Sequence, residues 1–197
     1  ESRGLGDVYK RQAVATTRLK ALYENEVVAR TPRTSFFNCL KNSAQQFYFR
    51  PKEDDAYLLA GYPWFKVRAR DLFVALPGST LSIDDPVRFE KIMHTAMPAM
   101  RAYMENGRFD AVIREIEHPD VFLWAIWAIQ QYAKHEGVEK ARELYGDFVK
   151  EVIDYIRDQK HPDMKLMENG LLFANGKDKA ITSVSYTHLT LPTNSRV

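Results

Sequence analysis

The sequence has 197 residues, of which 45% are hydrophobic and 27% charged, the balance of a chain that buries a core rather than of a disordered one. Its 28 basic and 26 acidic side chains leave a formal charge of +2 without a sustained basic run, so composition gives no support to a nucleic-acid or membrane partner. Cys39 is the single cysteine, which excludes an intrachain disulfide and a cysteine-built zinc site, and we expect it to be a buried free thiol. No apolar run approaches the roughly 20 residues that cross a bilayer, and we expect a soluble, cytoplasmic protein.

The two ends of the chain differ from its middle. Residues 1–12 and 184–197 share no periodicity with the segments beside them. Both resemble peptides translated from sequencing-adapter DNA at the ends of assembled contigs, and segments of that kind form no part of a natural fold. We therefore expect two artefactual tails around a partial domain at 13–183.

The first part of the middle predicts two helices and then an irregular segment. Apolar residues recur at helical spacing in two successive stretches. They are Leu19, Leu22, Val27 and Val28 in segment 13–30, and Phe36, Phe37, Leu40 and Phe47 in the next. Pro51 and the following KEDD run predict a surface loop, and Gly61 and Pro63 oppose any long regular element after it.

The segment from Asp85 to Gly107 carries the start and stop signals of one helix. Asp85 is a candidate N-cap, Pro86 stands at the first helical position, and Gly107 marks the end. Its apolar stripe consists of Ile92, Met93, Ala96, Met100, Tyr103 and Met104. We interpret these methionines as core side chains.

Two further helices come next, joined by a short turn at Gly137. The first opens at Pro119 and is apolar on nearly every face from residue 121 to 129, which predicts an enclosed helix. The second is amphipathic and ends before Pro162. Its predicted inner side consists of Leu144, Phe148, Val152, Tyr155 and Ile156. An enclosed helix followed by an amphipathic one is typical of helical hairpins packed in layers, so the pattern predicts an all-α fold, either an α/α toroid or an ordinary bundle.

The stretch from Gly61 to Leu81, GYPWFKVRARDLFVALPGSTL, contains the candidate functional residues. Flat aromatic faces pack against pyranose rings, and charged forks hydrogen-bond to sugar hydroxyls. The groups of these kinds are Tyr62, Trp64, Phe65, Arg68, Arg70 and Asp71. Glycoside hydrolysis needs one carboxylic acid to protonate the leaving oxygen and a second carboxylate to activate water, and Asp71 is the natural candidate for one of them.

The run AGYPWF, followed by RD and then ALPG, resembles the active-site motif of the amylo-α-1,6-glucosidase domain of glycogen debranching enzymes, particularly of the bacterial type. Two later stretches also resemble that family. DVFLWAIWAIQQY resembles a helix that carries an aspartate and a Leu-Trp pair, and ENGLLFANGKDKAITSV resembles the strand and turn that lead into a further active-site segment, so the resemblance covers about residues 13–183. The sequence departs from the family at Arg68-Ala69, where the family often has Trp-Gly.

The resemblance implies a partial (α/α)6 toroid like that of glucoamylases, and an enzyme that hydrolyses α-1,6-linked glucose at branch points with inversion. It implies that Asp71 is the general acid, and that the glucose pocket is lined by Tyr62, Trp64, Phe65 and Arg70, with Asp120 and Trp124 nearby. In the family the catalytic base lies after the segment that this sequence covers, so we expect the fragment alone to be inactive. The expected partner is glycogen or a branched α-glucan oligosaccharide.

The residues themselves leave the role of two aspartates open. Arg68, Arg70 and a helix that starts at Asp71 would each stabilise the Asp71 carboxylate and lower its pKa, whereas burial would raise it. A helix cap paired to arginine is therefore an alternative to the general acid. Asp120 follows Pro119 in the first turn of a helix, a position that needs no functional explanation.

The remaining motifs are weak. The histidines are scattered without metal-ligand spacing, and we expect no metal and no cofactor. Two alternatives to the debranching hypothesis stay open. One is another toroidal α-glucosidase, such as a relative of glucoamylase or trehalase, and the other is a non-catalytic helical module that binds glucan or a protein.

Overall fold

A computed structural model describes residues 34–52, 54–61, 65–175 and 181 of the chain. The chain divides into two units, Glu1–Ala44 and Gln45–Val197. The predicted helix at 13–30 and both predicted tails lie outside the described residues. The candidate site residues that the structure describes all belong to the second unit.

The described residues form five helices and two short strand pairs, so the predicted all-α class is confirmed. The helices are α1 (Phe36–Gln45), α2 (Ala69–Thr80), α3 (Pro86–Asn106), α4 (Pro119–Glu136) and α5 (Val138–Arg157), and the strands are β1 (Tyr48–Phe49), β2 (Tyr57–Leu58), β3 (Met164–Leu166) and β4 (Leu172–Ala174). A 3-10 turn, Leu81–Ile83, links α2 to α3. Within the described ranges, no helix has both the length and the apolar composition to cross a bilayer.

The two strand pairs are antiparallel, and the first was not expected from the sequence. β1 and β2 flank the predicted loop at Pro51, with Tyr48 opposite Leu58. β3 and β4 form a hairpin with Lys165 opposite Phe173, in the region whose resemblance implied a further family segment. Both pairs are short, as expected for connections between helices rather than for a sheet.

The signals for helix α3 are confirmed in detail. The Asp85 side chain accepts a hydrogen bond from the Arg88 backbone N–H at 3.1 Å, so Asp85 is the N-cap. Pro86 occupies the first position, and Gly107 ends the helix with φ at +64°, a left-handed conformation that glycine adopts without strain. The predicted apolar stripe is buried except for Met104, which packs partly buried against the core.

Two predictions of burial at single residues need correction. Cys39 is a free thiol of intermediate exposure rather than a buried one. Leu144 is 44% exposed, because the buried side of α5 is turned toward Ala141 and Tyr145 instead.

Helix α4 is also less enclosed than its sequence predicted. Leu123 is 43% exposed, and both Trp124 and Trp127 are only partly buried. The described packing partners of the helix are mainly α2 and α5. These two neighbours leave one side of α4 less covered than the other.

An aromatic cluster joins helices α3, α4 and α5. The Phe89 and Tyr132 rings are stacked with centroids 4.9 Å apart, and Tyr145 packs edge-on against Tyr132 at 5.2 Å. The Tyr132 hydroxyl donates to Glu90 of α3, and Lys140 of α5 pairs with the same carboxylate at 3.0 Å. Aromatic side chains of this size contribute a large share of core burial, so this cluster fixes the α4–α5 hairpin onto α3.

His161 is a buried, neutral histidine that connects two loops. Its Nε2–H donates to the Glu117 carbonyl at 3.1 Å, and its Nδ1 accepts from the Asp163 backbone N–H at 3.1 Å. Only the neutral ring with its proton on Nε2 satisfies both contacts. Burial lowers the pKa of His161 below the ordinary 6.5, which outweighs the opposing effect of the Glu117 hydrogen bond.

We predict that acid destabilises the protein through His161. Above pH 6.5 the ring is neutral in both states, but as the pH falls the unfolded state takes up the proton first, which favours unfolding. The measurement is the free energy of unfolding in urea at a series of pH values, for the wild type and for His161→Phe. As the pH falls, the free energy of unfolding of the wild type should decrease relative to that of the variant. A difference between the two free energies that does not depend on pH would contradict the prediction.

Candidate active site

Backbone hydrogen bonds connect the segment before helix α4 to the start of helix α2. The Ala69 N–H donates to the Arg114 carbonyl at 2.9 Å, and the Arg114 N–H donates to the Val67 carbonyl at 3.0 Å. The starts of the two helices are thereby held side by side. Side chains that are 50 positions apart in sequence can then contact each other.

Helix α2 begins at Ala69, before the start at Asp71 that the sequence predicted. Its N-cap is Arg68, which makes no side-chain capping bond, and Asp71 stands in the first turn. The alternative that Asp71 is the helix cap is therefore wrong. Pairing of Asp71 with Arg70 is also not what the structure has, because Arg70 pairs with Asp120.

Arg70 and Asp120 form a bidentate ion pair between the first turns of α2 and α4. Arg70 Nε donates to Asp120 Oδ2 at 2.7 Å, and Nη2 donates to Oδ1 at 2.9 Å. The two side chains are only 10% and 12% exposed. Trp124 Nε1 donates to Asp120 Oδ2 at 3.1 Å, and Arg70 Nη2 lies 3.0 Å from His118 Nδ1, which accepts when that nitrogen carries no proton. Arg70, Asp120 and Trp124, three of the predicted site residues, are thus brought together.

A second ion pair lies beside the first. Arg68 Nη1 is 3.4 Å from Glu115 Oε1, and the Arg68 guanidinium lies 5.2 Å from the centroid of the Phe65 ring. Phe65 is 51% exposed. Its position depends on Gly61, because a Cβ at residue 61 would come within 2.8 Å of the Phe65 ring. Phe65 therefore presents an aromatic face to solvent close to this ion pair.

Asp71 is half-buried near both ion pairs, and burial raises the pKa of its carboxyl. Arg68 and Arg70 act in the opposite direction, whereas Glu115 and Asp120 add to the rise. The pKa of Asp71 is therefore raised in spite of the two arginines, because burial is the largest effect and each arginine has a carboxylate partner of its own. A carboxyl with a raised pKa keeps its proton to a higher pH, as a general acid requires.

The remaining site predictions have different outcomes. Tyr62 and Trp64 lie outside the described residues. Glu115 and His118 belong to the arrangement but were not predicted: the position of His118 before Pro119-Asp120 was an available signal, whereas Glu115 had none in the sequence. In the described ranges, no group of three or more His, Cys, Asp and Glu side chains is placed to hold a metal ion.

A large surface groove lies elsewhere on the second unit. It has a volume of about 820 Å³ and runs along the face of α3 that carries Glu90 and His94, bordered by Leu144 and Tyr145 of α5. Asp71 is not among its lining residues. Volume alone therefore does not identify the candidate site, which is defined by its charges and aromatic rings.

We predict that removing one partner of the Arg70–Asp120 pair strongly destabilises the protein. Arg70→Ala would leave the Asp120 carboxylate largely buried without its cation, and breaking a buried pair from one side costs about 3–5 kcal/mol. Arg142→Ala is the matched control, because Arg142 and Glu139 pair in solvent at 3.2 Å with 70% and 84% of their side chains exposed. Thermal and urea unfolding of both variants provide the comparison. Equal small losses in the two variants would contradict the prediction.

A known family model matches most of the chain. The family model described as amylo-alpha-1,6-glucosidase matches residues 41–184, a range that contains every site residue described above, from Gly61 to Trp124. No curated protein and no solved structure matches the chain. The family match covers well over half of the sequence and includes Asp71 together with both ion pairs. The chain therefore belongs to the amylo-alpha-1,6-glucosidase family.

Proposed function

We propose that the chain is part of an enzyme that hydrolyses α-1,6-linked glucose at the branch points of glycogen or a related α-glucan, with Asp71 as the general acid. The observation that carries the proposal is the half-buried Asp71 carboxyl, whose pKa is raised although two arginines lie nearby. Family membership supplies the substrate class. The carboxyl supplies a proton donor for the leaving glycosidic oxygen.

The proposed glucose pocket surrounds this carboxyl. Phe65 offers an exposed ring for the apolar face of a pyranose. Arg70 belongs to the proposed lining, and because its guanidinium is largely buried and paired with Asp120, its proposed role there is to support the pocket. Tyr62 and Trp64 complete the proposed lining. Trp124 supports the pocket from α4 through its hydrogen bond to Asp120.

The proposal assigns the catalytic base to a segment beyond residue 183, as the resemblance implies. An inverting glycosidase needs both carboxyl groups, one to protonate the leaving oxygen and one to activate water. We therefore expect binding of glucan, but no turnover, from residues 13–183 alone. We place the complete enzyme in the cytoplasm, together with its glucan substrate.

We predict that Asp71→Asn abolishes most of the activity of the complete gene product. Loss of a general acid should lower kcat by roughly 10²–10⁴-fold, because the amide cannot donate a proton to the leaving oxygen. The measurement is glucose release from a maltooligosaccharide that carries one α-1,6-linked glucose. Asp147→Asn, a change of the same chemistry at an exposed position of α5, is the control and should keep full activity.

Two outcomes would contradict the proposal. Unchanged turnover in Asp71→Asn would remove the general-acid assignment. Preference of the wild type for α-1,4-linked or α,α-1,1-linked substrates over the α-1,6-linked one would replace the debranching assignment with another toroidal glucosidase.

A further inference from the structure

The carboxylate of Asp120 is already engaged by protein groups on both of its oxygens. Oδ2 accepts from Arg70 Nε and from Trp124 Nε1, and Oδ1 accepts from Arg70 Nη2, all within 3.1 Å. The side chain is 12% exposed. A carboxylate held in this way is oriented by its neighbours and has little surface left for a sugar hydroxyl.

Arg70 needs this carboxylate because its guanidinium is removed from water. The residue is 8% exposed, and a buried cation without a counter-ion is strongly unfavourable. Asp71 follows Arg70 directly in the chain, and the positive charge of Arg70 acts on the Asp71 carboxyl. Without Asp120, Asp71 would be the carboxylate of helix α2 available to this guanidinium.

We propose that Asp120 is a positioning residue, which holds Arg70 on the α4 side and prevents it from forming an ion pair with Asp71. The proposal rests on the assignment of Asp71 as the general acid and extends it to the residue that keeps the acid protonated. The described charged groups that act on Asp71 come from more than one element. Arg68 and Arg70 come from its own element, Glu115 and Asp120 come from the loop before α4 and from α4, and His118 contacts Arg70.

The experiment is a titration of the Asp71 side-chain carboxyl by carbon-13 NMR in the full chain. The signal is assigned by its disappearance in Asp71→Asn. In Asp120→Asn the titration should shift to lower pH than in Glu115→Gln, because both variants remove one negative charge near Asp71 but only the first also releases Arg70 to turn to Asp71. Glu139→Gln is the matched control, since it also converts a carboxylate to an amide in an arginine pair, but in solvent on α5, and it should leave the titration unchanged.

A second variant covers the case in which Asp120→Asn does not fold. Trp124→Phe keeps the carboxylate and removes one donor to Oδ2, so it should shift the Asp71 titration in the same direction by a smaller amount. A shift in folded Asp120→Asn no larger than that in Glu115→Gln, or an unshifted titration in Trp124→Phe where the first variant is unfolded, would overturn the proposal.

This readout is independent of the proposed function because titration requires no turnover. A shifted titration combined with full activity of Asp71→Asn in the complete gene product would retain the positioning role and reject the general acid. In the active enzyme, the same substitution at Asp120 should move the alkaline limb of kcat/KM to lower pH. A direct glucose contact of Asp120 would instead raise KM and leave that limb in place, which would reject the positioning role.

Discussion

The ion pair between Arg70 and Asp120 is the interaction on which the candidate site depends. It joins the first turns of α2 and α4, which the backbone bonds between Ala69 and Arg114 hold side by side. A buried pair of this kind contributes less to stability than its short distances suggest, because both charges lose their hydration. Its main consequence here is positional: it directs the guanidinium of Arg70 toward α4, and it leaves the neighbouring carboxyl of Asp71 to be governed by burial.

The charges around Asp71 explain why the two neighbouring arginines do not give its carboxyl a low pKa. Two nearby arginines would ordinarily indicate a stabilised carboxylate with a low pKa. In the structure each arginine has a carboxylate partner of its own, Glu115 for Arg68 and Asp120 for Arg70. The positive charges are therefore balanced locally, and the desolvation of a half-buried carboxyl outweighs them.

Much of the fold and part of the site could be predicted from the sequence, where the information is local. Asp85 and Gly107 define α3 through boundary chemistry that requires no tertiary contacts, and the motif around Asp71 could be selected because its residue types suit sugar chemistry and resemble a family pattern. Exposure of Leu144 could not be predicted, since a residue's cover depends on which helices pack against it. The short strands have no periodicity to detect, and nothing local indicates that Arg70 contacts a residue 50 positions away rather than the adjacent aspartate.

At Glu115, a left-handed backbone conformation places a carboxylate beside Arg68. The φ of Glu115 is +60°, a left-handed conformation that favours glycine and costs a side-chain-bearing residue about 1–2 kcal/mol. The turn at Glu115 precedes α4, and its carbonyl accepts a hydrogen bond from the His118 N–H at 3.3 Å. A glycine would make the same turn without the strain, but it would supply no partner for Arg68 and no negative charge to raise the pKa of Asp71. The strain at this position is therefore accompanied by a carboxylate that pairs with Arg68 and raises the pKa of Asp71.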